Sequence, residues 1–419
     1  MGTYIVEGGK RLYGQVDISG SKNAALPVLC ASLMNSGKSI IHNCPDISDI
    51  YDICEILRDM GCSVEMYGNT IIIDSSKADI SDVKNSRANK IRSSVTLMGA
   101  MAGRFKSFSL PKPGGCTIGK RPIDIHIYVL EKLGAKVYEK DNEILVETRS
   151  LRGSIITLPF PSVGATENAI MAASFAKGKT VICNAAKEPE IVCLQDFINS
   201  MGGNVTGAGT GTIIIDGQKK FKDTEFEIIY DRIEAGTFLC YGAACGGEIF
   251  LKNAPWQQMI STLKCFDEKP WKIYTTDDGL YIKSKKKAFK CQNIVSGVYP
   301  QIPTDMQPII TALLTMATGT SIIIETVFEN RFQYAKELCK MGADMSFLNH
   351  VCIVHGVKRL MGAESNICDL RGGAGIILSA LCADGRSKIH NSHFVERGYE
   401  SIERKLRALG AEIKLTDEM

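Results

Sequence analysis

One phrase recurs along the 419-residue chain and limits what it can fold into. "ILRDMGCSVEM" around Gly61 returns as "LEKLGAKVYE" at Gly134, "FINSMGGNVTG" at Gly202, "ELCKMGADMSF" at Gly342 and "KLRALGAEIKL" at Gly410. The intervals are 73, 68, 140 and 68 residues, so a degenerate copy belongs in the long gap. "TLKCFDEKPWKIY", near Glu268, fits there with its glycine lost. A second phrase keeps step: a small-residue helix end, a glycine, then a strand closing on a polar turn. It reads "MNSGKSIIHNCP" (Gly37), "MAGRFKSFSLPKP" (Gly103), "AKGKTVICNAA" (Gly178), "CGGEIFLKNAP" (Gly247), "ATGTSIIIETVF" (Gly319) and "ADGRSKIHNSH" (Gly385).

Each unit predicts a helix stopped by glycine, a β-branched strand, a second helix ending in a further glycine, and another strand. Glycine at such a stop can take a left-handed cap without steric penalty. A unit of about 70 residues cannot easily bury its own apolar faces, so several must pack together. Six copies predict two domains of three, joined near "IIYDRIEAGTF".

Composition excludes several classes. A net charge of +3 gives no general argument for nucleic acid, and no apolar run approaches the roughly 18 residues of a membrane helix. The opening "MGTYIVEGGKRLYGQV" reads as a strand and a turn, not a signal peptide. Fifteen cysteines lie scattered in apolar runs with no CxxC pair, which suits free thiols in a reducing cytoplasm. His390 and His393 lack a third ligand at suitable spacing, so no metal is expected. Neither GxxxxGK[ST] nor GxGxxG is present, and no cofactor is expected. The oligomeric state is not set by any pattern in the chain.

Cys116 differs from the other cysteines. In "PKPGGCTIGKRPIDIH" it follows two glycines and precedes Lys120 and Arg121, so it sits on an exposed, cationic loop. Nearby positive charge favours thiolate over thiol, which makes a cysteine reactive; a surface thiol without a role is the plainer alternative. "ISGSKNAALPVL" places Lys22 and Asn23 at a helix start suited to an anion or to simple capping. Asp305, in "YPQIPTDMQPII", either caps the next helix or acts as a base, and capping is the more frequent role. Arg331, Asp369, Arg371 and Arg397 lie at equivalent ends of repeat units, where arginines could converge on one anionic ligand.

"GSKNAALP", "LPKPGGCTIGKRPIDIHI", "PSVGATEN", "NAAKEPEIV", "PTDMQ", "ETVFENRF", "DLR" and "RGYESIERKLRALGA" together closely resemble the UDP-N-acetylglucosamine enolpyruvyl transferase family, over essentially the whole chain. The resemblance implies an inside-out α/β barrel of two domains, each with three βαβαββ-type repeats. Residues 22–229 would form the domain with the cysteine loop; residues 1–21 plus 230–419 would form the second. It implies transfer of enolpyruvyl from phosphoenolpyruvate to the 3-hydroxyl of UDP-N-acetylglucosamine, opening peptidoglycan synthesis.

By that similarity Cys116 is the proton donor and the target of fosfomycin, and Asp305 takes the hydroxyl proton. Lys22, Arg121 and Arg397 clamp the phosphate and carboxylate, with Asn23, Arg331, Asp369 and Arg371 nearby. Arg92, Arg121, Pro122, Ile123, Asp124, Ile125, Ser162, Val163, Gly164, Asp305 and Val327 match positions holding the UDP-sugar. Ser48 and Phe160 stand where some family members carry lysine, which bears on how UDP is held. Two other readings are 5-enolpyruvylshikimate-3-phosphate synthase, which lacks the cysteine loop, and a non-catalytic UDP-sugar-binding paralogue, which would need no acid or base.

Overall fold

A computed structural model describes residues 2–79, 92–112, 118–119, 122–140, 142–267, 270–285 and 288–417. Cys116, Lys120, Arg121 and Glu268 lie outside them. The chain divides into two compact units, one of residues 20–115 and 122–229, the other of 1–19, 116–121 and 230–419. Each has its own apolar core. The architecture is α/β.

Six helices recur in register with the repeat: Lys22–Ala31, Leu97–Arg104, Val163–Ala173, Arg232–Cys245, Gln307–Leu314 and Leu370–Cys382. They are apolar all round, so burial on every side is where they are most stable. All of Arg232–Cys245 and all but the first residue of Leu370–Cys382 are buried. Arg232–Cys245, Gln307–Leu314 and Leu370–Cys382 pack on one another in their unit. Glycine allows the approach: a Cβ on Gly375 would sit 3.0 Å from the Pro308 carbonyl. In the other unit a Cβ on Gly99 would sit 2.6 Å from the Asn168 carbonyl.

In five of the six sheets among the described residues a parallel strand joins a three-stranded antiparallel set; the sheet of Ser107–Pro111, Lys136–Lys140 and Glu143–Glu147 is antiparallel alone. Ile155–Thr157, for example, runs parallel to Lys179–Cys183, which pairs antiparallel with Thr212–Asp216. Thr224–Glu227, at the end of the third repeat, runs parallel to Lys38–His42 of the first, which links the last repeat of that unit back to its first. The other unit closes through the chain terminus. Gly2–Glu7 lies between Arg386–His390 and Glu412–Asp417, antiparallel to both, and Leu12–Asp17 runs parallel to Gly247–Lys252. The first two strands therefore complete the sixth repeat and connect it to the fourth.

The glycine prediction holds at the second helix of each repeat. Gly61, Gly134, Gly202, Gly342 and Gly410 all have φ between 81° and 97°. The degenerate copy is also present as a helix, Ile260–Lys264, followed by a strand, Trp271–Thr276. At the first-helix ends Gly178, Gly247, Gly319 and Gly385 have positive φ, whereas Gly37 and Gly103 do not. Gly103 lies within its helix, and its missing side chain leaves room for the Phe175 ring. Gly37 similarly makes room for the Asp223 carboxylate. Asn43, Asn184, Asn253 and Asn391, which close the following strands, are left-handed with φ of 56° to 66°. Asparagine tolerates this region better than other side chains.

Candidate active site

Among the described residues, those of the expected site fall at or near the end of a helix, or on a loop beside one. In residues 230–419, Asp305 follows the short strand Ile302–Pro303 and precedes helix Gln307–Leu314. The more frequent reading, that it caps this helix, is not what the structure has. Met306 is the N-cap residue, without a side-chain cap bond, and both Asp305 oxygens face arginines. Arg371 donates to Oδ2 from Nε (3.2 Å) and Nη2 (3.0 Å), and Arg331 Nη2 donates to Oδ1 (3.3 Å). Burial alone would raise the Asp305 carboxyl, but Arg371 and then Arg331 outweigh it and hold the group well below the usual carboxylate range.

The two arginines differ in what remains available. Arg331 is buried and donates from Nε and Nη2 to the Thr304 carbonyl (3.3 and 3.1 Å), while Nη1 lies 3.6 Å from Asp369. It holds the Asp305 loop in place. Arg371 is also buried, with its guanidinium 5.1 Å from the Tyr399 ring centre. Its Nη1 is a buried donor without a hydrogen-bond partner among the described residues. A buried donor in that state is costly unless a ligand satisfies it. Asp369 caps helix Leu370–Cys382, accepting from Arg371 N (3.1 Å) and Gly372 N (2.9 Å). Arg397 ends helix His393–Glu396, two residues before Tyr399.

Val327 donates its N–H to Glu325 Oε1 (2.8 Å). Glu325 Oε2 accepts from Ser296 Oγ (2.7 Å) and Thr304 Oγ1 (2.9 Å), so this buried carboxylate fastens the strand Ile294–Gly297 and the segments at Thr304 and Val327 beside Asp305. Ile118, two residues after Cys116, accepts from Asn330 N (3.0 Å), and Gly119 lies against the Glu329 carboxylate. The described end of the cysteine loop therefore meets the segment that leads into Arg331.

In residues 20–229, Lys22 begins helix Lys22–Ala31, which Ser21 caps by accepting from Ala24 N (3.3 Å). Its ammonium pairs with Asp49 at 2.7 Å, both side chains being buried, and Asn23 follows it, half-buried. Pro122, Ile123, Asp124 and Ile125 lead into and open helix Asp124–Lys132. Ser162 caps helix Val163–Ala173, and a Cβ on Gly164 would lie 2.9 Å from the His126 ring. The two helix starts thus meet, joined also by Asn168 and His126 at 2.7 Å. The 3-10 turn Arg92–Thr96 packs on the same helix, with Asn168 Nδ2 donating to the Val95 carbonyl (3.0 Å). Ser48 is exposed at the start of helix Ser48–Asp59, and Phe160 is 41% exposed.

Sequence reasoning missed Glu325, Thr304, Asp49, Tyr399 and Glu167. Glu167 is buried within helix Val163–Ala173. Burial, then Glu190 and Glu188, push its carboxyl up to about 8. Nothing in a lone glutamate inside "PSVGATEN" signals that environment, because Glu188 and Glu190 are brought to it by the packing of the second helix of its repeat. Among the described residues, no three His, Cys, Asp or Glu side chains group as metal ligands.

The sequence profile of the family described as EPSP synthase (3-phosphoshikimate 1-carboxyvinyltransferase) matches residues 6–406. Two proteins of Caldanaerobacter subterraneus subsp. tengcongensis are similar in sequence. One, called UDP-N-acetylglucosamine 1-carboxyvinyltransferase 2, is 44% identical over 99% of both chains; the other, called UDP-N-acetylglucosamine 1-carboxyvinyltransferase 1, is 42% identical over 98% of both. Among solved structures, the enolpyruvyl transferase NikO from Streptomyces tendae superposes with a TM-score of 0.89 at 23% identity, covering 99% of each chain. EPSP synthase from Acinetobacter baumannii superposes with a TM-score of 0.75 at 16% identity over all of both chains. These two likenesses concern the fold.

Proposed function

The chain belongs to the EPSP synthase family, and from that premise we infer that it transfers enolpyruvyl from phosphoenolpyruvate to the 3-hydroxyl of UDP-N-acetylglucosamine, releasing phosphate in peptidoglycan synthesis. The observation that carries this is the Asp305 cluster: a carboxylate held by two buried arginines, one with a nitrogen that has no hydrogen-bond partner among the described residues. A pure sugar binder would need no such arrangement.

In our reading Cys116 protonates carbon-3 of phosphoenolpyruvate as the sugar oxygen bonds to carbon-2, and Asp305 accepts the hydroxyl proton. The tetrahedral adduct then loses a proton from carbon-3 and expels phosphate. Lys22, Arg121 and Arg397 bind the phosphate and carboxylate, with Asn23 beside them. The free donor of Arg371 suits the same anion. As that anion draws the Arg371 guanidinium, Asp305 loses countercharge and becomes a stronger base. Arg331 and Asp369 position this pair rather than touch substrate. Arg92, the Arg121–Ile125 segment, Ser162, Val163, Gly164 and Val327 hold the UDP-sugar.

We take residues 22–229 and 1–21 plus 230–419 as the two domains, a reading supported by their separate cores. We place the enzyme in the cytoplasm. This is supported by its free cysteines and by the absence, among the described residues, of a helix long and apolar enough to cross a membrane.

The test is phosphate release. Incubation with phosphoenolpyruvate and UDP-N-acetylglucosamine releases phosphate, and shikimate 3-phosphate does not replace the sugar. Release with shikimate 3-phosphate alone would overturn the assignment.

A further inference from the structure

Cys245 and Cys382 are the final residues of two central helices, Arg232–Cys245 and Leu370–Cys382. Their sulfurs lie 3.8 Å apart although 137 residues separate them in sequence. That is contact distance for two thiols, and a disulfide requires approach to about 2.05 Å. Cys245 is fully enclosed, whereas Cys382 retains 8% exposure. The first strand pair fastens both helix ends. Gly9 N–H donates to the Leu381 carbonyl and Leu12 N–H donates to the Gly246 carbonyl, each at 2.9 Å. The residue before one cysteine and the residue after the other are thus held by the same turn, and the thiols cannot easily drift apart.

We propose that Cys245 and Cys382 form an intramolecular disulfide when the protein meets a peroxide. Cys382, the less enclosed of the two residues, attacks as thiolate at one peroxide oxygen. The O–O bond breaks, the departing oxygen leaves as water, and Cys382 becomes a sulfenic acid. The Cys245 sulfur then attacks the Cys382 sulfur, the S–O bond breaks, and the oxygen leaves as a second water with the Cys245 proton. Two thiols lose two electrons and one hydrogen peroxide becomes two waters. The bond joins the fourth repeat to the sixth, which packing, the first strand pair and contacts such as Tyr241 Oη donating to the Ala374 carbonyl (3.1 Å) and Lys405 pairing with Glu234 (2.7 Å) already hold together. Closing so long a loop restricts the unfolded chain and raises the thermal midpoint.

The test uses the full reduced chain, titrated with hydrogen peroxide, alkylated and mapped by mass spectrometry without reduction. The expected result is a cross-linked peptide pair containing Cys245 and Cys382 that dithiothreitol separates. It should be accompanied by an upward shift of the thermal midpoint that Cys245→Ala and Cys382→Ala each abolish. The alanine variants each open a small cavity, so the wild-type map is decisive by itself. Recovery of both residues as alkylated thiols, or of Cys382 as sulfinic acid with Cys245 still a thiol, overturns the proposal.

Discussion

Arg371 directs two nitrogens at a single oxygen of Asp305, at 3.2 and 3.0 Å, while its third nitrogen is buried with no acceptor among the described residues. The pair is thus complete on one side and open on the other. Asp305→Asn keeps the shape and removes the base, so turnover should fall by about 10²–10⁴-fold with little change in UDP-sugar affinity by calorimetry. Retained turnover would remove Asp305 from the base role. Asp305→Ala removes the carboxylate shared by two buried guanidinium groups, leaving Arg331 with Asp369 at 3.6 Å, and should cost about 3–5 kcal/mol in urea unfolding.

The same pair sets an acid limit. The folded Asp305 carboxyl lies below its ordinary value, so the folded state binds fewer protons there than the unfolded chain. Its contribution is complete above the unfolded value of about 3.9 and is lost as pH falls through the lower folded value. Acid titrations of wild type and Asp305→Asn should therefore diverge above about pH 4 and converge in stronger acid. Parallel curves throughout would contradict this.

Glu167 predicts the opposite slope. Its folded carboxyl is pushed up to about 8, so the folded state holds the proton more tightly. The associated stability is present below the unfolded value of about 4.3 and declines as pH rises toward 8. Glu167→Gln mimics the protonated form and should flatten the fall in thermal midpoint between those limits. An unchanged slope in the variant would show that another group titrates.

Lys22 serves both the fold and the proposed clamp. Lys22→Ala removes the 2.7 Å partner of buried Asp49, and it should lower stability by about 3 kcal/mol. It should also lower turnover by about 10²–10³-fold. Lys22→Arg restores the charge, so stability should recover more than turnover, which depends on where the cation sits. Full recovery of both would argue against a positioned phosphate contact.

Fosfomycin separates Cys116 from the rest of the thiols. Most described cysteines are buried, and burial raises thiols such as Cys193 and Cys352 to about 12. Peptide mapping after treatment should place the adduct, formed by thiolate opening of the epoxide, on Cys116 alone. An adduct on exposed Cys339 with Cys116 unmodified would refute the reactive-loop reading.

Much of the fold is legible in the chain because it is local. A helix stop needs a residue that accepts positive φ, and glycines at 61, 134, 202, 342 and 410 mark those stops directly. The six-unit count follows from the same spacing, and the helix starts at Lys22 and Asp369 are legible in their own short stretches. The role of Asp305 is not. Its neighbours in sequence favour a helix cap, whereas its partner Arg371 lies 66 residues away and is brought there by packing of two buried helices. Gly2–Glu7 is likewise an ordinary strand by sequence, and only sheet pairing makes it part of the sixth repeat. Backbone conformation is written in short stretches of chain. The partner of a buried charge is decided by which helices fit together, and no single stretch contains that information.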